Sequence, residues 1–111
     1  MTVINLYWTI RADGDRKPGL MVEAARNTDR ATLDIIRFWV EQLTAQAVLR
    51  AGTTITVHGD TATIRQPRQP EPQLELTLKA GDWIVHASDR LLVVGDDAFP
   101  ADYSNKPPIH I

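Results

Sequence analysis

Cysteine is absent from the 111-residue chain. That removes disulfide frameworks, thiolate nucleophiles and thiolate metal ligands together. It also fits a reducing interior better than the oxidising spaces where small secreted scaffolds are stapled. An excess of basic charge is missing too: 12 Lys and Arg stand against 14 Asp and Glu, for a net charge of −2. A nucleic-acid module carries the opposite balance. No apolar run approaches the ~20 residues that a membrane-spanning helix requires. The opening ten residues, Met1 to Ile10, lack the basic start and continuous apolar stretch of a signal peptide. The expectation is a soluble protein of the cytoplasm with no membrane association. Neither a glycine-rich phosphate loop nor a Gly-x-Ser-x-Gly elbow occurs.

What is present is a set of short alternating segments around one longer amphipathic one. Ile4, Leu6, Trp8 and Ile10 alternate with Asn5, Tyr7, Thr9 and Arg11, the period-two signature of a strand with one buried face. Residues 12–19 are a turn by composition, and Leu20 to Arg26 resumes extended structure with Leu20, Val22 and Ala24 on one side. Asn27-Thr28-Asp29 offers side-chain oxygens to the first turn of a helix. Leu33, Ile36, Trp39 or Val40, Leu43 and Ala47 then recur at spacings of three and four, one apolar stripe. Arg30, Asp34, Arg37 and Glu41 lie opposite, and Gly52 is a natural stop. The spacing leaves residues 47–50 open between a last helical turn and the start of a strand.

Thr53–Val57 and Thr61–Arg65 flank His58-Gly59-Asp60 as a hairpin. Residues 66–73 carry three prolines, which exclude helix and central strand and predict a solvent-facing connector. Leu74, Leu76 and Leu78 alternate with polar residues. Trp83–Ala87 and Arg90–Val94 form a last hairpin, apolar on both faces and so expected at the centre of a sheet. A lone amphipathic helix buries its stripe against the sheet, its only partner. The predicted fold is α+β: one curved antiparallel sheet of about six to seven strands packed on one amphipathic helix, a single domain over residues 1–103 with a tail at 104–111. Trp8, Trp39, Trp83, Ile36 and Phe99 are its expected core.

Val22-Glu23-Ala24, Thr28, Ile35-Ile36-Arg37-Phe38, Gly81-Asp82-Trp83-Ile84-Val85 and the segment from Phe99 to Tyr103 follow one another in order. In this the chain resembles a group of small, mostly uncharacterised phage and prophage proteins. The strand at 3–11 is additional to that pattern and the proline-rich connector is longer. The resemblance implies phage origin and an accessory role.

Chemistry-bearing residues are few. Gly81-Asp82 reads as a tight turn, with glycine supplying positive φ and aspartate bonding its own backbone. Trp83 reads as a rim tryptophan with a paired indole N–H, more than as a base-stacking platform. His58, His86 and His110 fall on a turn, a strand and the tail, which predicts no metal site. Asp96, Asp97 and Asp102 are the densest acidic patch but lack calcium-loop spacing. Glu23 and Glu41 are the carboxylates that a sheet and helix can bring together. The expectation is no catalytic residue, no cofactor and no metal. Arg65 and Arg68 of the connector and Asp96 and Asp97 of the acidic turn are the candidate partner-binding residues.

The expected function is that of a non-enzymatic phage-encoded protein binding a host protein, as a host-takeover or anti-defence inhibitor. A small enzyme of unfamiliar type is the alternative. A single-stranded nucleic-acid module ranks last, because the aromatics point inward and the charge is acidic. Few edge-blocking charges on strand 3–11 leave a homodimer open.

Overall fold

A computed structural model describes residues 3–10, 19–67, 74–87 and 89–105. Most of the expected 12–19 turn, the connector after Pro67, Ser88 and residues 106–111 lie outside that set. The described residues form an α+β fold of eight strands, one main helix and one short helix. Strands β1 (Asn5–Thr9) and β2 (Met21–Arg26) form an antiparallel hairpin in which Leu6 faces Glu23 and Trp8 faces Met21.

Helix α1 spans Arg30–Ala45 and buries Leu33, Ile36, Val40 and Leu43, each contributing roughly 1.5–3 kcal/mol by leaving water. Asp29 caps its start, accepting the Thr32 backbone N–H at 2.8 Å. That bond holds the Asp29 carboxyl below the usual aspartate range. At the other end Ala47 adopts φ 59. Its N–H donates to the Thr44 carbonyl and the Val48 N–H donates to Leu43. This is the closure that usually places glycine at the left-handed position. Residues 47–50 are therefore neither helix nor strand but the exit from a helix, and the stop comes five residues before Gly52.

Strands β3 (Thr54–His58), β4 (Thr61–Gln66) and β5 (Leu74–Leu78) follow, then β6 (Trp83–Ala87) and β7 (Arg90–Val94). A short helix α2 (Phe99–Asp102) leads into β8 (Tyr103–Ser104). The expected single sheet is two: a five-stranded one in the order β7-β6-β2-β1-β8 and a three-stranded one in the order β3-β4-β5. The division falls at residues 79–82. Gly81 takes φ 90 and its N–H donates to the Asn27 carbonyl, while the Asn27 N–H donates to Asp82. The chain is thereby turned away from β5 and laid along β2, with Glu23 opposite His86 and Ala25 opposite Ile84.

Two cores lie on opposite faces of the larger sheet. One joins α1 to β2, β4, β5, β6 and β7 through Ala25, Ile36, Ile64, Leu78, Ile84 and Leu91. The other gathers Val22, Ala24, Val85, Phe99 and Tyr103. Phe99 stacks on Trp83 at 3.8 Å between centroids, and Tyr7 meets both rings edge-on. Burial pushes the Tyr7 phenol upward.

Several expectations are corrected here. Tyr7 and Thr9 turn to the aromatic core, while Leu6 and Ile10 are 51% and 47% exposed. β1 has an apolar residue on each face, so alternation alone does not choose between them. Trp8 is half-buried rather than core, whereas Ile36 and Phe99 are buried and Trp39 and Trp83 pack at the rims of the two cores as expected. β7 sits at a sheet edge rather than its centre, Leu20 is exposed, and Ser104 pairs with Trp8 rather than starting a tail. Gln66, expected in a solvated connector, is 5% exposed. Its side-chain amide donates to the Leu91 carbonyl at 3.0 Å and accepts the Leu91 N–H at 2.7 Å. A polar side chain thus completes the edge of β7 and ties the two sheets.

Gln66→Ala removes both bonds and strands two buried backbone groups, so it lowers the unfolding free energy by about 2–3 kcal/mol in urea titration. Ala47→Gly relieves the left-handed backbone and raises stability by about 1 kcal/mol in the same assay, with an unchanged slope.

Candidate protein-interaction surface

The second layer over the larger sheet consists of the three-stranded sheet and α1. β5 lies near β7, and α1 lies beside β3. The last side chain of that layer to reach the sheet floor is Trp39, whose ring meets His86 of β6 edge-on at 6.1 Å. Five strands at ~4.8 Å spacing make a sheet roughly 20 Å wide. The start of β1 is covered, with Val3 and Ile4 packed on the main core, while Leu6 and Met21 further along are exposed.

That uncovered floor is read from the register. Leu6, Glu23, His86 and Leu91 form one row across four strands. Ser104, Trp8 and Met21 form the next row on the same face. Leu91 is buried beneath the layer, but Leu6 and Met21 are 51% and 58% exposed. Ile10 continues the face by alternation. The wall is the flank of α1, where Ile35 and Trp39 are neighbours at i and i+4. Ile35 is 45% exposed and Phe38, one turn along from it, 62%. By helical spacing Phe38 faces away from the buried stripe, with Asp34 and Glu41 as its i−4 and i+3 neighbours. Arg30 and Asp34 form an i,i+4 ion pair on the exposed side of α1.

At the junction of floor and wall sits the one ionisable pair on this face. His86 Nδ1 lies 3.2 Å from Glu23 Oε1, with the His86 side chain 11% exposed. A carboxylate orienting an imidazole is half of a proton-transfer arrangement. Beside it stands Trp39, whose ring meets the imidazole edge-on. The arrangement is suited to holding Glu23 and fixing the Trp39 wall. Glu41, the other carboxylate considered, lies on the charged outer side of α1 by helical spacing.

Three of the four expected contact residues, Arg65, Asp96 and Asp97, lie among the described residues. Arg65 forms a cross-strand ion pair with Glu75 at 2.9 Å on the outer face of the small sheet. Arg68 lies outside the described residues. The Asp96 carboxylate accepts from the Trp83 indole N–H and the Arg26 guanidinium, both at 3.0 Å. It clamps the end of β2 to the turn after β7. Asp97 is exposed beside it. Arg65 and Asp96 are thus each engaged within the fold. The Asp82 carboxylate accepts the Lys79 N–H at 3.2 Å, which is the turn role expected of it. His58 is exposed in the small sheet, His110 lies outside the described residues, and no group of three or more His, Asp or Glu among the described residues is placed to hold a metal ion.

The apolar row was hidden in the sequence because its members come from two segments and look like core.

No family model, curated protein or solved structure matches the chain. No helix among the described residues is long and apolar enough to cross a membrane.

Asp96→Ala loses two bonds at an exposed site and lowers stability by about 1 kcal/mol. Asp97→Ala changes it by less than about 0.5 kcal/mol. Paired urea titrations of the two neighbours check the contrast.

Proposed function

We propose that the protein is a non-enzymatic, phage-encoded accessory protein that binds a host protein inside the host cell. The observation that carries this reading is the apolar row along β1 and the start of β2, where Leu6, Ile10 and Met21 are 51%, 47% and 58% exposed beside the half-buried Trp8. Scattered apolar side chains are ordinary on a protein surface, but neighbours paired across two strands mark a binding face more than isolated ones do. Tryptophan and methionine are residue types enriched where proteins meet. The same face disfavours nucleic acid, whose phosphates demand Lys or Arg. The phage assignment rests on the ordered segments shared with phage and prophage proteins, and the cytoplasmic location on the cysteine-free composition.

The immobilised chain is exposed to lysate of the natural host, alongside a Leu6→Asp, Met21→Lys double variant. The expected result is one host protein retained by the parent and lost from the variant. Equal retention on both moves the binding site elsewhere. Absence of any specific host protein removes the reading.

A further inference from the structure

We propose that a long-lived internal water molecule is bound by the side-chain carbonyl of Asn27, at the joint between the two sheets. The inference is independent of the apolar row on β1 and concerns a site inside the molecule.

The hydrogen bonds of Asn27 define the site. The residue is fully buried. Its backbone N–H donates to the Asp82 carbonyl at 2.9 Å, and its backbone carbonyl accepts the Gly81 N–H at 2.7 Å. Its Nδ2 donates to the Asp60 carbonyl at 2.8 Å. That leaves Oδ1, which is buried and which no donor among the described residues reaches. A buried carbonyl oxygen without a donor forfeits the bonds that water gave it in the unfolded chain. Native interiors answer such a group with a protein donor or with ordered water.

The protein has no donor to turn toward it. Rotating the amide to exchange Oδ1 and Nδ2 sets two carbonyl oxygens 2.8 Å apart, acceptor against acceptor. The backbone cannot swing the side chain away either. Arg26 on one side is paired with Trp83 in the β2–β6 ladder, and Asp29 on the other caps α1. The adjacent Thr28 hydroxyl is engaged with Thr32 at 2.9 Å.

The chemistry of the surroundings selects water. An acceptor asks for a donor, which a metal cation is not. The carbonyls that could help a cation are already used: Asp60 by Asn27, and Gly59 by the Arg30 guanidinium at 3.1 Å. Water brings two donors and two acceptors in the smallest volume. The end of β2, the β3–β4 turn and the 79–82 turn converge here, and internal waters sit among polar backbone groups of this kind. Folded proteins hold one for about every 27 residues, so a chain of 111 residues has places for such molecules.

A crystal structure of the full chain, refined to show ordered solvent, is the test. One water oxygen is expected about 2.7–3.0 Å from Asn27 Oδ1. In solution the Asn27 Nδ2 protons are expected to show cross-relaxation with water of the sign given by a long-lived bound molecule. Asn27→Leu, which puts hydrocarbon of similar volume in place of the amide, is expected to lose that water and its signal at the neighbouring Gly81 amide. Where this variant does not fold, the two measurements on the parent decide. A parent with no solvent at Oδ1, or with a protein N–H, a hydroxyl or a metal ion there, overturns the proposal. So does a folded Asn27→Leu that retains the water.

Discussion

Two buried side-chain amides hold the two sheets together, and the rest of the molecule is arranged around them. Asn27, fully buried, uses its Nδ2 to reach the Asp60 carbonyl in the β3–β4 turn at 2.8 Å. Its backbone N–H and carbonyl are both spent on the 81–82 turn. One residue thus fixes the end of β2, the tip of one hairpin and the entry to β6, two positions before the cap of α1. Gln66 makes the reciprocal tie from the other sheet to β7. Between these points the apolar core of α1 closes, and its position decides which part of the larger sheet is left bare.

The local elements could be read from the chain and their partnership could not. Asp29 capping, the Leu33–Ile36–Val40–Leu43 stripe, the β1–β2 and β6–β7 hairpins and the β3–β4 turn are all encoded within a few residues, and each lies close to its expected place. The pairing of β2 with β6 joins segments about sixty residues apart, and alternation carries no term for it. Nor does alternation weigh Tyr7 against Leu6: both faces of β1 can enter a core, and the aromatic cluster with Trp83 and Phe99 takes one of them. Gln66 illustrates the converse. A polar residue next to proline reads as solvent-exposed, yet its amide has the donor and acceptor of a peptide group and substitutes for a missing strand.

The candidate site was obscured for the same reason. A residue bound for an exposed apolar face and one bound for the interior have the same side chains. Only the width of the covering layer distinguishes Leu6 from Leu91, which share a row. Conversely, Asp96 looked available because it is acidic and turn-borne, but the Trp83 indole and Arg26 occupy its oxygens.

The chemical nature of the inter-sheet ties has its own effect. An amide neither gains nor loses a proton across the ordinary range, and it has no net charge for dissolved ions to screen. The seam joining the sheets therefore keeps its strength through changes in electrolyte, whereas the exposed Arg26–Asp96, Arg50–Asp89 and Arg65–Glu75 pairs around it are screened as salt rises.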